Sequence, residues 1–245
     1  MFSFRSPTPG LVRYPMPRPE NPAPSMPASR PLGIFGGTFD PLHYGHLRLA
    51  EEARQTLGLA EVRWVPAGQP SHRNAPSASA EQRLAMVRLA ITGNPGFSLD
   101  DSEALSDRPS YSVPTLERLR TQAGPQRPLV LLLGADALLG LESWHRWRDL
   151  FQLAHLAIAT RPGFDLTGGQ LSSFLAAEIR QRLAASPTCL AEAPAGRILS
   201  FAITALDISA TALRTALKAG ASARYLLPDP VLDYIATHHI YSDIA

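Results

Sequence analysis

From Leu32 onward the chain alternates between short, nearly unbroken apolar runs and longer stretches in which apolar residues recur every three or four positions. The unbroken runs predict strands: "PLGIF", "EVRWVP", "FSLD", "PLVLLLGAD", "AHLAIATRPG" and "GRILSF". "PLVLLLGAD" is the most apolar of them, as expected of a strand covered on both faces. The periodic stretches predict helices. "HLRLAEEARQTLG" carries Leu47, Ala50 and Ala53 at helical spacing and Gly58 as a stop signal. "SAEQRLAMVRLAI" opens on a capping box, Ser79 with Gln82, and lines up Leu84, Val87 and Ile91. "SVPTLERLR" has a proline in its first turn. "GGQLSSFLAAEIRQRLA", "SATALRTALKAG" ended by Gly220, and "DPVLDYIATHH" complete the helical set. Strand–helix alternation on this scale predicts an α/β, doubly wound, mainly parallel sheet with helices on both faces. In such sheets ligands sit beyond the carboxyl ends of the strands.

The first 30 residues do not share this pattern. "SPTPGLVRYPMPRPENPAPSMPASRP" is rich in Pro, Ser and Arg and has no apolar period. Proline removes backbone donors and fixes φ, so residues 1–30 are expected to form a disordered tail ahead of one domain over residues 31–245. The tail lacks the apolar core of a secretory signal. Met16 and Met26 are alternative start positions.

Composition narrows the function classes. The 245 residues are 45% hydrophobic, enough for a substantial buried core, and 23 Lys and Arg against 21 Asp and Glu leave a formal charge of +2. That balance gives no reason to expect nucleic-acid binding through bulk electrostatics, so any anion must be held by a local site. The single cysteine, Cys189, excludes an internal disulfide and any cysteine-cluster metal site. No apolar run approaches the roughly 18 residues of a membrane span, and a cytoplasmic location is expected.

The turn after the first predicted strand, "GIFGGTFDPLHYGH", holds more polar chemistry than turning requires. Its glycines do not fit G-x-G-x-x-G, and no G-K-S/T follows, so neither a dinucleotide fingerprint nor a P-loop is present. His43 and His46 stand three apart around Gly45, a spacing that puts two imidazoles on one side of a helical turn. Gly45 lets a ligand approach the backbone, and the helix start offers unpaired N–H groups. The expected result is a small cationic pocket for a polyphosphate, with Gly36, Gly37, Thr38 and Phe39 alongside. A zinc site from Asp40, His43 and His46 is an alternative, but it leaves the glycines and the helix start unexplained.

"GGTFDPLHYGH" resembles the H-x-G-H motif of the nucleotidyltransferase superfamily, whose members transfer a nucleoside monophosphate from a triphosphate to a small phosphorylated acceptor. Those enzymes pair it with a late I-S-x-T-x-x-R. Here "ISATALR" runs from Ile208 to Arg214, over 160 positions downstream. Ser209 is a candidate N-cap, Thr211 lies in the first turn, and Arg214 one turn later can fork onto phosphate oxygens. The resemblance implies a Rossmann-like nucleotidyltransferase fold. It also implies ATP held by His43, His46, Ile208, Ser209, Thr211 and Arg214.

The middle of the chain points to the acceptor. "VPAGQPSHR", "RPSYSVPTL", "LLLGADALLGLESWHRW", "AHLAIATRPG" and "YLLPDPVLDYI" are similar to segments of bacterial nicotinate-nucleotide adenylyltransferases, from about Leu32 to Tyr241. That resemblance implies adenylyl transfer from ATP to nicotinate mononucleotide. Mg²⁺ is expected to arrive with ATP rather than in a protein cage. Candidate acceptor residues follow. His72 and Arg73 would hold a phosphate, and Gly134 with Asp136 would face ribose hydroxyls. Trp144 would stack on a pyridine ring, with Trp147 as its rival. Ser110 and Tyr111 would line the nicotinate, and Arg161 would meet a phosphate. Ser71, Arg73 and Ser112 depart from the family's usual proline, lysine and threonine. Three other readings compete. A class I aminoacyl-tRNA synthetase fragment would need a K-M-S-K-S-like loop, which the chain lacks. A nucleotide sensor would tolerate degraded histidines. A nicotinamide-nucleotide acceptor is the nearest rival.

Overall fold

A computed structural model describes residues 30–70, 75–160 and 171–242; the expected tail falls outside them. In chain order the elements are β1 (Leu32–Gly37), α1 (Tyr44–Thr56), β2 (Glu61–Pro66), β3 (Gln69–Pro70), α2 (Ala80–Ile91), β4 (Phe97–Leu99), β5 (Pro109–Ser110), α3 (Ser112–Ala123), β6 (Leu129–Gly134), α4 (Ala135–Leu139), α5 (Leu150–Leu153), β7 (His155–Thr160), α6 (Ser173–Arg182), β8 (Ile198–Ala202), α7 (Ala210–Lys218) and α8 (Asp229–Thr237). Every expected strand and helix is among them. The sequence pattern did not announce α4, α5, β3 or β5, which are too short to show a period.

Among the described residues the main sheet has six strands in the order β4-β2-β1-β6-β7-β8, and every pairing is parallel. Its side chains alternate between two buried layers. Leu131 and Leu133 pack with Ile34, Val113, Leu116, Leu175 and Ile179 on one face. Val130 and Leu132 pack with Phe35, Trp64, Ala50, Ala53 and Val87 on the other. A strand buried on both faces has no polar side to show, which is why "LVLLL" reads as unbroken apolar sequence. Cutting one of these buried leucines to alanine costs about 2–5 kcal/mol. A third cluster seats α7 and α8 on α2, through Met86, Leu213, Val231 and Ile235.

The helix ends follow the sequence signals. Ser79 accepts from the Gln82 amide at 3.2 Å while the Gln82 side chain accepts from the Ser79 N–H at 2.9 Å, closing the expected capping box. Gly58 and Gly220 take φ of +64° and +71° just beyond α1 and α7, where a side chain would be strained.

Chain order reverses between β1 and β6. The register of that pair stops at Ile34–Leu131, whereas β1 stays paired with β2 to Gly37–Pro66. The carboxyl ends of β1 and β6 therefore part company at the topological switch point, where open α/β sheets bind ligands. The "GGTFDPLHYGH" loop leaves β1 there, and Gly134 with Asp136 leaves β6.

Candidate active site

The β1–α1 loop is folded back on itself by its own aromatic residue. Phe39 sits at φ +50° and is buried, edge-on to Phe35 at 5.5 Å and to His46 at 5.2 Å between ring centroids. Gly37 permits this, because a Cβ there would stand 2.8 Å from the Phe39 ring. Phe39 thus supports His46 from below, and its side chain is not exposed to a ligand. A non-glycine residue held in the left-handed region costs of order 1–3 kcal/mol, a cost that structures bear mostly at functional loops.

His43 is the N-cap of α1, and His46 lies in its first turn. The two rings stack at 3.8 Å between centroids, 29° apart in plane. His46 Nδ1 accepts from the His43 main-chain N–H at 3.3 Å. A ring nitrogen that accepts carries no proton, so this bond assigns the ring hydrogen of His46 to Nε2. His43 is only 6% exposed, and its Nδ1 is buried without a hydrogen-bond partner. Burial lowers the His43 pKa to about 4, so the ring is neutral near pH 7. Within the expected cationic pocket His43 is therefore a neutral imidazole, and the cation that reaches this loop is Arg214. Gly45 also has a different use from the one expected. A Cβ there would lie 3.0 Å from the His43 ring, so the missing side chain makes room for His43 itself.

The late motif closes onto this loop. Ser209 caps α7, its hydroxyl accepting from the Ala212 amide at 3.1 Å. Arg214 Nη1 donates to the Asp40 carbonyl at 2.7 Å, and Nη2 donates to Thr211 Oγ1 at 3.4 Å. The Ile208 carbonyl stands 3.8 Å from the point a Gly45 Cβ would occupy. The Tyr44 amide, at the start of α1, donates to the Leu226 carbonyl at 3.0 Å. Residues from both ends of the chain therefore surround one loop.

Asp40 is not placed as a zinc ligand. Its carboxylate accepts from the Ser77 and Ala78 amides at 2.8 and 3.1 Å and from the Tyr241 hydroxyl at 2.6 Å. Among the described residues no group of three His, Cys, Asp or Glu could hold a metal ion. Burial and the Asp40 carboxylate both push the Tyr241 hydroxyl far above its ordinary pKa, so it stays a donor.

The acceptor candidates fall into three groups. Gly134 and Asp136 occupy the carboxyl end of β6, with Asp136 exposed in the first turn of α4 and open space where a Gly134 Cβ would point. Ser110 and Tyr111 lie where β5 pairs with β3, and Ser110 Oγ accepts from the Gly68 amide at 2.9 Å. The Tyr111 ring sits 4.7 Å from the His145 ring. Trp144 is half-buried at the end of a 3₁₀ turn over Leu141–Ser143, whereas Trp147 is buried with the Arg148 guanidinium 4.8 Å above it. The two rivals differ in depth: Trp147 is a buried member of the core, and Trp144 is half-buried against the edge of the same cluster. His72, Arg73 and Arg161 lie outside the described residues, as does Ser71.

The sequence motifs single out neither Tyr241 nor Arg83. Arg83 could have been found as a cation standing one turn before Val87, on the apolar stripe of α2.

The parallel sheet, the switch-point loop and the imidazole pair define a nucleotidyltransferase, and the comparisons agree. A family model described as cytidylyltransferase-like matches residues 34–216. A "Probable nicotinate-nucleotide adenylyltransferase" of Dechloromonas aromatica (strain RCB) is 58% identical over 213 residues, covering 87% of this chain and 98% of the relative. One of Laribacter hongkongensis (strain HLHK9) is 49% identical over 86% of this chain and 94% of its own length. The fold matches a solved Plasmodium falciparum nicotinic acid mononucleotide adenylyltransferase complexed with NaAD, with a TM-score of 0.65 at 17% identity over 86% of this chain and 97% of that one. The chain belongs to the nicotinate-nucleotide adenylyltransferase family.

Proposed function

We propose that the chain transfers the adenylyl group of ATP to nicotinate mononucleotide, giving deamido-NAD and pyrophosphate, with His43, His46 and Arg214 aligning and stabilising the polyphosphate. The observation that carries this is the hydrogen bond from Arg214 Nη1 to the Asp40 carbonyl, which holds the late guanidinium against the loop of the imidazoles. The relatives' name and the neighbour's NaAD support the choice of acceptor.

The acceptor's phosphate oxygen attacks the α-phosphorus of ATP. The bond from that phosphorus to the β-phosphate bridging oxygen breaks, and pyrophosphate leaves with the electron pair. A phosphate monoester is already anionic at neutral pH, so no strong general base is required. Catalysis reduces to alignment and to stabilising charge on the equatorial and leaving oxygens. His46 donates from Nε2 to the phosphates. His43, neutral and stacked beneath it, fixes its plane and offers a second imidazole. Arg214 and the α7 N-terminus face the β- and γ-phosphates. Mg²⁺ enters as part of the ATP substrate, screening phosphate charge, and is held mainly by phosphate oxygens and water. On the acceptor side Trp144 stacks on the pyridine ring, Tyr111 with Ser110 borders it, and Asp136 accepts from ribose hydroxyls.

No helix among the described residues is long and apolar enough to cross a membrane, and a cytoplasmic site of action suits substrates of this kind. Residues 1–29 are dispensable in this account: a chain beginning at Arg30 keeps the bonds from Arg30 to the Gly58 and Leu59 carbonyls and should turn over at the full-length rate.

Labelled ATP tests the chemistry. Label at the α-phosphate should appear in a dinucleotide, and label at the γ-phosphate in pyrophosphate. Release of γ-label as orthophosphate, or no dinucleotide, would reject adenylyl transfer.

A further inference from the structure

We propose that Arg83, a residue outside both motifs, is a positioning residue that sets the ATP-side loop against the acceptor-side platform. The inference rests on the adenylyl-transfer reading above.

Arg83 is 1% exposed, yet it carries a guanidinium. Its bonds go to main-chain carbonyls of three separate segments. Nη1 donates to Thr38 at 2.9 Å and, more closely, to Ala67. Nη2 donates to Gly68 at 2.7 Å, and Nε donates to Ala78 at 3.2 Å. Thr38 belongs to the loop that carries His43 and His46. Ala67 and Gly68 follow β2 and lead into β3. Ala78 immediately precedes Ser79, the N-cap of α2.

Each of these segments continues into the site. From Gly68, the amide bonds Ser110 Oγ and the adjoining β3 pairs with β5, next to Tyr111. From Ala78, the amide bonds the Asp40 carboxylate, whose main-chain carbonyl holds Arg214. One buried side chain therefore ties the phosphate loop, the Ser110–Tyr111 platform and, through Asp40, the late arginine. Gly68 shows how closely this junction is packed: a Cβ there would fall 2.1 Å from the Glu103 carbonyl.

A guanidinium is suited to this task. Its planar fork presents five N–H donors in fixed directions, and an ammonium on a flexible stem cannot satisfy four carbonyls spread around a plane. Purely structural filling would need none of this. In-line transfer is sensitive to such spacing, because two reactants must meet within a fraction of an ångström, and a shift of about 1 Å is able to cost about 10²-fold in rate.

The test uses Arg83→Lys, which keeps the charge and most of the volume, beside Arg83→Gln, which keeps a planar pair of N–H donors without the charge. Both are compared with the parent for thermal midpoint, for binding of ATP and of nicotinate mononucleotide separately, and for kcat well below the midpoint. We expect each variant to bind each substrate alone within about threefold of the parent, with kcat lowered roughly 10- to 100-fold. If Arg83→Lys does not fold, Arg83→Gln decides. A folded variant with parental kcat, a folded variant whose loss lies wholly in binding, or failure of both variants to fold, which would assign Arg83 to stability alone, overturns the proposal. A parent chain that makes no dinucleotide rejects the functional reading itself; an active parent with unaffected variants rejects only the role of Arg83.

Discussion

Arg214 donates from Nη1 to the main-chain carbonyl of Asp40 at 2.7 Å, across 174 positions of sequence. Asp40 lies three residues before His43, in the loop that the two imidazoles share. The Asp40 carboxylate stands 3.9 Å from the same nitrogen, a long ion pair beside the short bond to the main chain. In the proposed mechanism the other guanidinium donors meet the incoming polyphosphate.

Arg214→Ala should therefore lower kcat/KM for ATP by about 10²-fold, since a hydrogen bond to a charged group is worth about 1.5–3 kcal/mol and more than one is lost. Arg214→Lys should recover only part of this, because an ammonium cannot fork. Steady-state pyrophosphate release with ATP varied measures both.

His46→Ala should fold normally and lose about 10²–10³-fold in kcat, the usual loss when a donor aimed at developing charge is removed. Circular dichroism checks the fold, and single-turnover dinucleotide formation checks the rate. Near-parental turnover would remove His46 from the mechanism.

Burial of His43 should make the protein acid-sensitive, alongside His155, whose pKa burial also lowers. The folded His43 pKa of about 4 lies below the ordinary value of 6.5, so between those values the unfolded chain binds more protons than the folded one. Stability is then fully present above about pH 6.5 and is lost as pH falls toward 4, by about 3 kcal/mol from this group. His43→Asn should flatten that acid limb in a series of pH-dependent denaturant melts.

The two tryptophans should separate by experiment. Trp147→Ala removes a buried ring and should cost about 3–5 kcal/mol of stability. Trp144→Ala removes a half-buried ring at the core's edge, so it should cost less stability than Trp147→Ala and raise KM for nicotinate mononucleotide about tenfold, which is about 1.4 kcal/mol. Quenching of fluorescence by the acceptor should vanish in Trp144→Phe alone.

Much of this is legible in the sequence. The fold is, because a doubly covered parallel sheet writes itself as apolar runs separated by periodic helices. Ser79, Gln82 and Ser209 cap the helices that their types and positions announce. The site was legible where chemistry is concentrated in one loop, as with His43 and His46. It was not legible where main chain does the linking. No sequence pattern reports that Arg83 collects the carbonyls of Thr38, Ala67, Gly68 and Ala78, since carbonyls have no residue identity. Nor does sequence report burial, so His43 reads as a cation until its neighbours are seen to exclude water. Trp144 and Trp147 were equivalent for the same reason: three residues apart, they differ only in what lies beneath them.

The most direct test of the account sets the two pyridine nucleotides against each other. Purified protein is given ATP with nicotinate mononucleotide or with its amide, and dinucleotide formation is followed over a range of acceptor concentrations. The account predicts turnover with the acid at a kcat/KM at least about tenfold above that with the amide, one tenfold step being about 1.4 kcal/mol of transition-state discrimination. Preference for the amide, or no dinucleotide from the acid, would contradict it.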